Sequence, residues 1–228
     1  MTEGVAAPRP TTRLERFWHS TVGKKVVMAA TGLIMVAFVI GHVAGNLLVF
    51  AGPERINAYS AFLHGTGELL WLVRLVLLAA VVLHIISAYQ LTRIDMRARP
   101  IAYTTRDPQV STLAARTIRW GGVLLLVFIV FHLLHMTTGT VHPDFVPGDV
   151  YSNVVVAFRV WPVTLFYVLA MAALGLHLYH GTWSAFRTLG LVRPSAEPLQ
   201  RRGAAAVAIL VAGAFAAVPL AVALGLLR

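Results

Sequence analysis

Five long apolar stretches run through this 228-residue chain and restrict it to folds built within a lipid bilayer. A helix needs about 20 apolar residues to cross the hydrocarbon core of a membrane. The stretches cover about 26–50, 69–91, 120–140, 160–186 and 204–227. We therefore predict an all-α membrane protein, with a single five-helix transmembrane domain over 26–228 after an N-terminal segment over 1–25. One further amphipathic stretch is predicted between the first two spans, from Arg55 to His64.

The composition agrees with a membrane domain and excludes several kinds of site. Hydrophobic residues make up 58% of the chain and charged residues only 12%. The absence of cysteine excludes disulfides, thiolate-held iron–sulfur clusters and covalently attached c-type haem. The net charge of +10 would suit nucleic acid, but the basic residues cluster between the apolar stretches, as membrane topology requires. We expect membrane lipid as a partner and no nucleic acid. Nor do the polar first 25 residues predict a cleaved signal peptide.

Lysine and arginine are divided unequally between the two sides of the predicted membrane domain. Fifteen lie on the side of the N-terminus and four on the opposite side. The larger group is Arg9, Arg13, Arg16, Lys24, Lys25, Arg93, Arg97, Arg99, Arg106, Arg116, Arg119, Arg187, Arg193, Arg201 and Arg202; the smaller is Arg55, Arg74, Arg159 and Arg228. Cytoplasmic loops carry the excess of these residues. We therefore predict a multi-pass protein of the inner (cytoplasmic) membrane, with its N-terminus in the cytoplasm and its C-terminus outside.

Histidine is the unusual residue of the predicted spans. Six of the nine histidines lie at membrane depth: His42, His84, His132, His135, His177 and His180. Ionisable side chains are costly there and face a bundle interior or a cofactor. A lone buried histidine is most simply explained by a hydrogen bond to a neighbouring helix. Histidine in each of the first four spans is harder to explain in that way.

Depth sorts these histidines into two layers. The outer layer holds His42, His132 and His135; the cytoplasmic layer holds His84, His177 and His180. Each layer is supplied by two helices, which is the arrangement of two bis-histidine b haems in a four-helix bundle. The first four spans are therefore predicted to form a dihaem-binding bundle. Because residues three apart share a helix face, depth does not choose between His132 and His135, or between His177 and His180.

Several segments resemble a known family. They are Arg16–Ser20, Gly41–Asn46, His84, Phe131–Leu133 and His177–Ser184, the last ending in His-Gly-Thr-Trp-Ser. Together they resemble the cytochrome b558 subunit of succinate dehydrogenases, the single-chain, five-helix dihaem anchor that is also seen in related fumarate reductases. The resemblance covers essentially the whole chain. It implies that His42 and His132 ligate the distal haem, and that His84 and His177 ligate the proximal haem.

The resemblance also implies that the chain is one subunit of a larger enzyme complex. A flavoprotein subunit oxidises succinate, an iron–sulfur subunit docks on the cytoplasmic face, and electrons pass through two b haems to a quinone, which in dihaem members is usually menaquinone. The chain is then a subunit of succinate:quinone oxidoreductase that transfers electrons and reduces quinone but does not itself oxidise succinate. The complex can form a higher oligomer. Glu68, at the outer start of the second span, is the candidate quinone-site proton carrier; a solvated helix-start carboxylate explains it equally well. Gly175 replaces a glutamate of some fumarate-reducing relatives, which favours succinate oxidation.

Other interpretations remain open at this stage. Ser20, Lys24 and Lys25 are placed to bind haem propionates or, more simply, lipid phosphates. The chain could also be the cytochrome b anchor of another membrane oxidoreductase, such as a hydrogenase or a formate dehydrogenase. A third alternative is a haem-free transporter or structural protein whose histidines line a proton path.

Overall fold

The computed structural model describes residues 12–98 and 112–228, and within these ranges the chain is helical and contains no strand. Five helical segments are long and apolar enough to cross a membrane: 21–51, 68–97, 113–137, 161–188 and 194–223. The predicted all-α fold with five candidate spans is thus confirmed. The helices are α1 Arg13–His19, α2 Thr21–Asn46, α3 Pro53–Gly65, α4 Glu68–Arg97, α5 Leu113–His132, α6 Val150–Arg159, α7 Trp161–Thr188 and α8 Glu197–Ala223. Arg9, Arg99 and Arg106 of the charge count lie outside the described residues.

Four of the spanning helices, α2, α4, α5 and α8, begin before their apolar stretches. The α2 helix begins at Thr21, so the segment over 1–25 contributes the first turn of this span. Its N-cap is Ser20, whose hydroxyl accepts the amide hydrogen of Gly23 at 2.9 Å and donates to the carbonyl of Phe17 at 2.7 Å. Thr112 caps α5 in the same way by accepting from the amide of Ala115. Caps of this kind satisfy the first amides of a helix, which explains why polar turns extend the spans.

Two short helices accompany the spans on the side opposite the N-terminus. The predicted amphipathic stretch is present as α3, whereas α6 was not predicted. The side chain of Asn57 on α3 joins them. Its amide nitrogen donates to the carboxylate of Asp149 at 3.0 Å, and its side-chain oxygen accepts from the backbone amide of Tyr151 at 3.1 Å. Asp149 also caps α6 by accepting from the amide of Ser152. The helices α3 and α6 therefore lie together across one end of the bundle, which we call the α3–α6 end.

The opposite end carries the positive charge, and we call it the basic end. Described Lys and Arg residues there are Arg13, Arg16, Lys24, Lys25, Arg93, Arg97, Arg116, Arg119, Arg187, Arg193, Arg201 and Arg202. Two of them form ion pairs, Arg119 with Asp95 at 3.1 Å and Arg201 with Glu197 at 2.9 Å. The first pair is exposed and the second is partly exposed, so each stabilises the fold by about 1 kcal/mol or less.

The spans pack unequally. The α2 helix lies along both α4 and α7, α5 lies along α7, and α8 packs mainly on α7. Gly175 faces α8, since a Cβ atom at this position would lie 3.2 Å from the Cβ of Ala212. Over the described residues, α4 does not pack along α5 or α7, and α2 does not pack along α5. The four histidine-bearing spans therefore form an open bundle held together through α2 and α7.

Candidate functional site

Four histidines form two pairs, and within each pair the two imidazole rings face each other across this open bundle. The ring centres of His42 and His132 are 6.0 Å apart, with an angle of 77° between the ring planes. The ring centres of His84 and His177 are 6.1 Å apart, at 56°. The first pair joins α2 to α5 and the second joins α4 to α7, which are helices that do not otherwise pack along each other in the described part of the chain. Each predicted layer of histidines thus contains a close pair in the structure.

The separation of the rings fits two ligands of one metal ion. An imidazole nitrogen binds a transition metal at about 2.0 Å, and the ring centre lies about 1 Å behind that nitrogen, so two such rings on one ion have centres about 6 Å apart. Two protein ligands are also the number that haem iron takes when both of its axial positions are filled. The residues present therefore fit two bis-histidine haems. That these histidines ligate haem stays a prediction.

At the basic end, the orientation of His84 is set by the backbone of α2. Its Nδ1 lies 3.0 Å from the carbonyl oxygen of Met28 and 3.3 Å from the hydroxyl of Thr31. A carbonyl oxygen only accepts, so Nδ1 carries the hydrogen and the lone pair of Nε2 is free for a metal. Gly32 allows the ring to approach, because a Cβ atom there would lie 3.3 Å from Cε1 of His84.

His177, the partner of His84, has fewer hydrogen bonds. Nδ1 of His177 is buried and has no hydrogen-bond partner among the described residues. A buried polar atom without a partner costs about 1–3 kcal/mol. Gly122 on α5 leaves room beside this ring, with its would-be Cβ atom 4.0 Å from Cε1. The pair thus offers an imidazole whose hydrogen bonding the protein leaves incomplete, which is a feature typical of a ligand-binding position.

At the α3–α6 end, aromatic rings hold the pair. Phe38, one turn before His42, stacks on it with ring centres 5.3 Å apart, and Phe215 of α8 packs at 5.6 Å. Phe128, one turn before His132, stacks on that ring at 5.6 Å. These apolar contacts restrict the rotation of both imidazoles and keep water from them. A fifth span without histidine therefore still contributes a side chain to this pair.

Sequence reasoning missed the residue that connects His132 to its surroundings. Tyr167 of α7 is buried, and its hydroxyl lies 3.3 Å from Nδ1 of His132 and 3.1 Å from Nδ1 of His135. The segment Leu133–Thr137 is a π-helical turn, with the amide of Thr138 bonded to the carbonyl of Leu133. Such turns are frequent at functional sites. A tyrosine inside an apolar span was the available signal.

Other predicted site residues are placed less centrally. Glu68 is the first residue of α4 and is exposed. Ser20 is occupied as the cap of α2, and the buried Lys24 donates to the carbonyl of Trp18. Lys25 alone of that trio lines a cavity of about 370 Å³ at the basic end. The other lining residues are Val22, Trp183, Ser184, Arg187 and Thr188, so the cavity includes the Trp-Ser end of the motif on α7.

The segments that carry the family resemblance lie on the elements just described. Gly41–Asn46 forms the last turns of α2 beside His42, and His177–Ser184 runs along α7 to the basic end. Comparisons of the chain with models of protein families, with characterised proteins and with solved structures gave no match.

Proposed function

We propose that this chain is a dihaem cytochrome b membrane anchor that passes electrons from an iron–sulfur subunit through two b haems to a membrane quinone. The observation that carries the proposal is the presence of two imidazole pairs, 6.0 and 6.1 Å between ring centres, at two levels along one bundle. His84 and His177 would hold the haem nearer the basic end. His42 and His132 would hold the haem nearer the α3–α6 end.

Two haems held in this way would supply one-electron carriers at two depths of the membrane. The chain's own residues supply the ligands and their orientation. The carbonyl of Met28 fixes the ring of His84, and Tyr167 contacts that of His132. Phe38, Phe128 and Phe215 surround the second pair with apolar rings. Axial-ligand orientation and exclusion of water are two of the means by which a protein sets the potential of a haem.

We further propose that the basic end faces the cytoplasm and receives the partner subunits. The excess of Lys and Arg at this end supports that orientation. The resemblance gives the partners as a flavoprotein and an iron–sulfur protein of a succinate dehydrogenase, and menaquinone as the acceptor. Glu68 begins α4 at the opposite end, where an exposed carboxylate is available to carry protons to a reduced quinone.

The experiment is to purify the full-length chain, tagged at one end, from the membranes of its own cells. We expect a flavoprotein and an iron–sulfur protein to co-purify and added succinate to produce a b-type α band. Reduction by formate or hydrogen instead would assign the anchor to a different oxidoreductase. Absence of any haem absorption from a folded, isolated complex would reject the cytochrome.

A further inference from the structure

The hydroxyl of Tyr167 is shared by two histidines. Nδ1 of His132 lies 3.3 Å from it and Nδ1 of His135 lies 3.1 Å from it. A phenol has one hydrogen to donate and lone pairs with which to accept. The same oxygen can therefore accept from one imidazole and donate to the other.

Ligation by His132 would determine which way these hydrogen bonds run. Since Nδ1 of His132 faces Tyr167, its Nε2 is the atom left for iron, and the ring hydrogen must then lie on Nδ1. That hydrogen is donated to Tyr167, whose own hydrogen is free to go to Nδ1 of His135. We infer that Tyr167 and His135 form a hydrogen-bonded unit that positions His132 as an axial ligand. This inference rests on the proposed function.

His135 is built to be the fixed end of this unit. It is only 1% exposed and stacks on Phe131 and on His142, both with ring centres 5.0 Å away. His142 is fixed in turn, because its Nε2 donates to the carbonyl of Asn153 at 2.9 Å and its Nδ1 accepts the amide hydrogen of Asp144 at 3.2 Å. The ring of His135 is thus held in one orientation from outside the span. It acts on His132 through Tyr167, as a positioning residue and not as an alternative ligand.

A hydrogen bond from the far nitrogen of an axial imidazole makes that imidazole a stronger electron donor. Stronger donation favours ferric over ferrous iron and lowers the potential. Removing the acceptor should therefore raise the potential of the haem on His42 and His132 and leave the haem on His84 and His177 unchanged. A tenfold loss of preference for the ferric state corresponds to about 59 mV in a one-electron couple.

The first test is Tyr167→Phe in the full complex, followed by a redox titration of both haems. We expect an upward shift of up to about 59 mV in one haem only, with an altered low-spin electron paramagnetic resonance signal from that haem. Tyr151→Phe is the matched control, because the hydroxyl of Tyr151 bonds the carbonyl of the C-terminal Arg228, away from both pairs. Full occupancy of the second haem reports that the variant has folded.

The second test distinguishes a positioning role of His135 from direct ligation of the iron. His135→Phe should shift the same haem in the same direction by less than Tyr167→Phe, and the double variant should shift it no further than Tyr167→Phe alone. Additive shifts, unchanged potentials in Tyr167→Phe, or loss of a haem in His135→Phe would overturn the inference. In each of those cases the wild type still contains haem, so the proposed function survives; a wild type without haem would reject both.

Discussion

At the basic end the ring of His84 is held by a backbone carbonyl, whereas at the α3–α6 end the ring of His132 is held by the side chain of Tyr167. A backbone acceptor survives almost any substitution, because every residue supplies a carbonyl. A side-chain acceptor can be gained or lost through a single change. Two pairs of nearly equal ring separation therefore differ in how readily their chemistry can be adjusted. The pair at the α3–α6 end is the adjustable one.

The largest expected effect comes from removing the ligands themselves. His84→Ala and His177→Ala should each remove the same haem, and His42→Ala and His132→Ala should each remove the other. The reason is that an iron losing one of its two protein ligands becomes weakly held. Haem content and the α-band spectrum of each purified variant measure this. His64→Ala is the control, since this exposed histidine on α3 bonds the carbonyl of Ser60 and contacts neither pair among the described residues. If the two variants of one pair lost different haems, the assignment of those two histidines to one haem would be wrong.

The next effect in size concerns proton delivery to quinone at the α3–α6 end. If Glu68 carries protons for quinone reduction, Glu68→Gln should slow quinone reduction by about 100-fold, the lower range for a lost acid–base group. Both haems should remain at full content and be reduced by succinate at the normal rate. Glu54→Gln on α3 is the control, another exposed carboxylate on this side of the molecule. Equal rates in the two variants would remove Glu68 from the mechanism.

A smaller effect is expected from crowding the pair at the basic end. The Cβ of an alanine at Gly32 would lie 3.3 Å from Cε1 of His84, and the methyl groups of valine would reach further. Because the ring is fixed by Met28, it has little freedom to move away. Gly32→Val should weaken retention of this haem by about 1–3 kcal/mol, the usual cost of overpacking. A titration of haem release measures it, and Gly213→Val on α8 is the matched control, since no described atom outside its own stretch of helix lies within 4 Å of its would-be Cβ.

The smallest effect concerns pH at the α3–α6 end. Hydrogen bonds from Ser152, and then from Asn57, hold the pKa of Asp149 below its ordinary value of 3.8. A lowered pKa in the folded state gives stability that is complete above the ordinary value and is lost as the pH falls below it. The protection factors of the α6 amides, which divide the intrinsic exchange rate by the observed rate at the same pH, should therefore be lower at pH 3 than at pH 5, by less than about fivefold for an exposed cap. Asp149→Asn keeps a capping side chain and should abolish this difference. A difference that persists in the variant would assign the pH dependence to another group.

The sequence predicted the parts of this structure that depend on lipid. Apolar length located the five spans, and the depth of the histidines within them predicted two layers, one containing His42 and the other containing His84. The selection of His132 and His177 came from the resemblance, and the structure places these two, and not His135 or His180, opposite their partners. Such features follow from membrane thickness and from the alternating direction of successive spans.

The parts that were missed depend on packing. The α6 helix has ten residues, too few to span, and its apolar side chains Val154, Val155 and Phe158 are buried by contacts with other helices that no local pattern reveals. The π-helical turn after His132 follows from no residue type. Tyr167 lies in an apolar span like any other aromatic residue, and only the assembled bundle places its hydroxyl between two histidines from another helix.

The central claim is that the two imidazole pairs are two haem sites. The most direct measurement is the pyridine haemochrome content of the purified chain, divided by its molar protein content from amino-acid analysis. We expect two haems b per chain. A value of one would show that only one pair binds haem, and a value of zero in folded protein would show that the pairs serve another purpose.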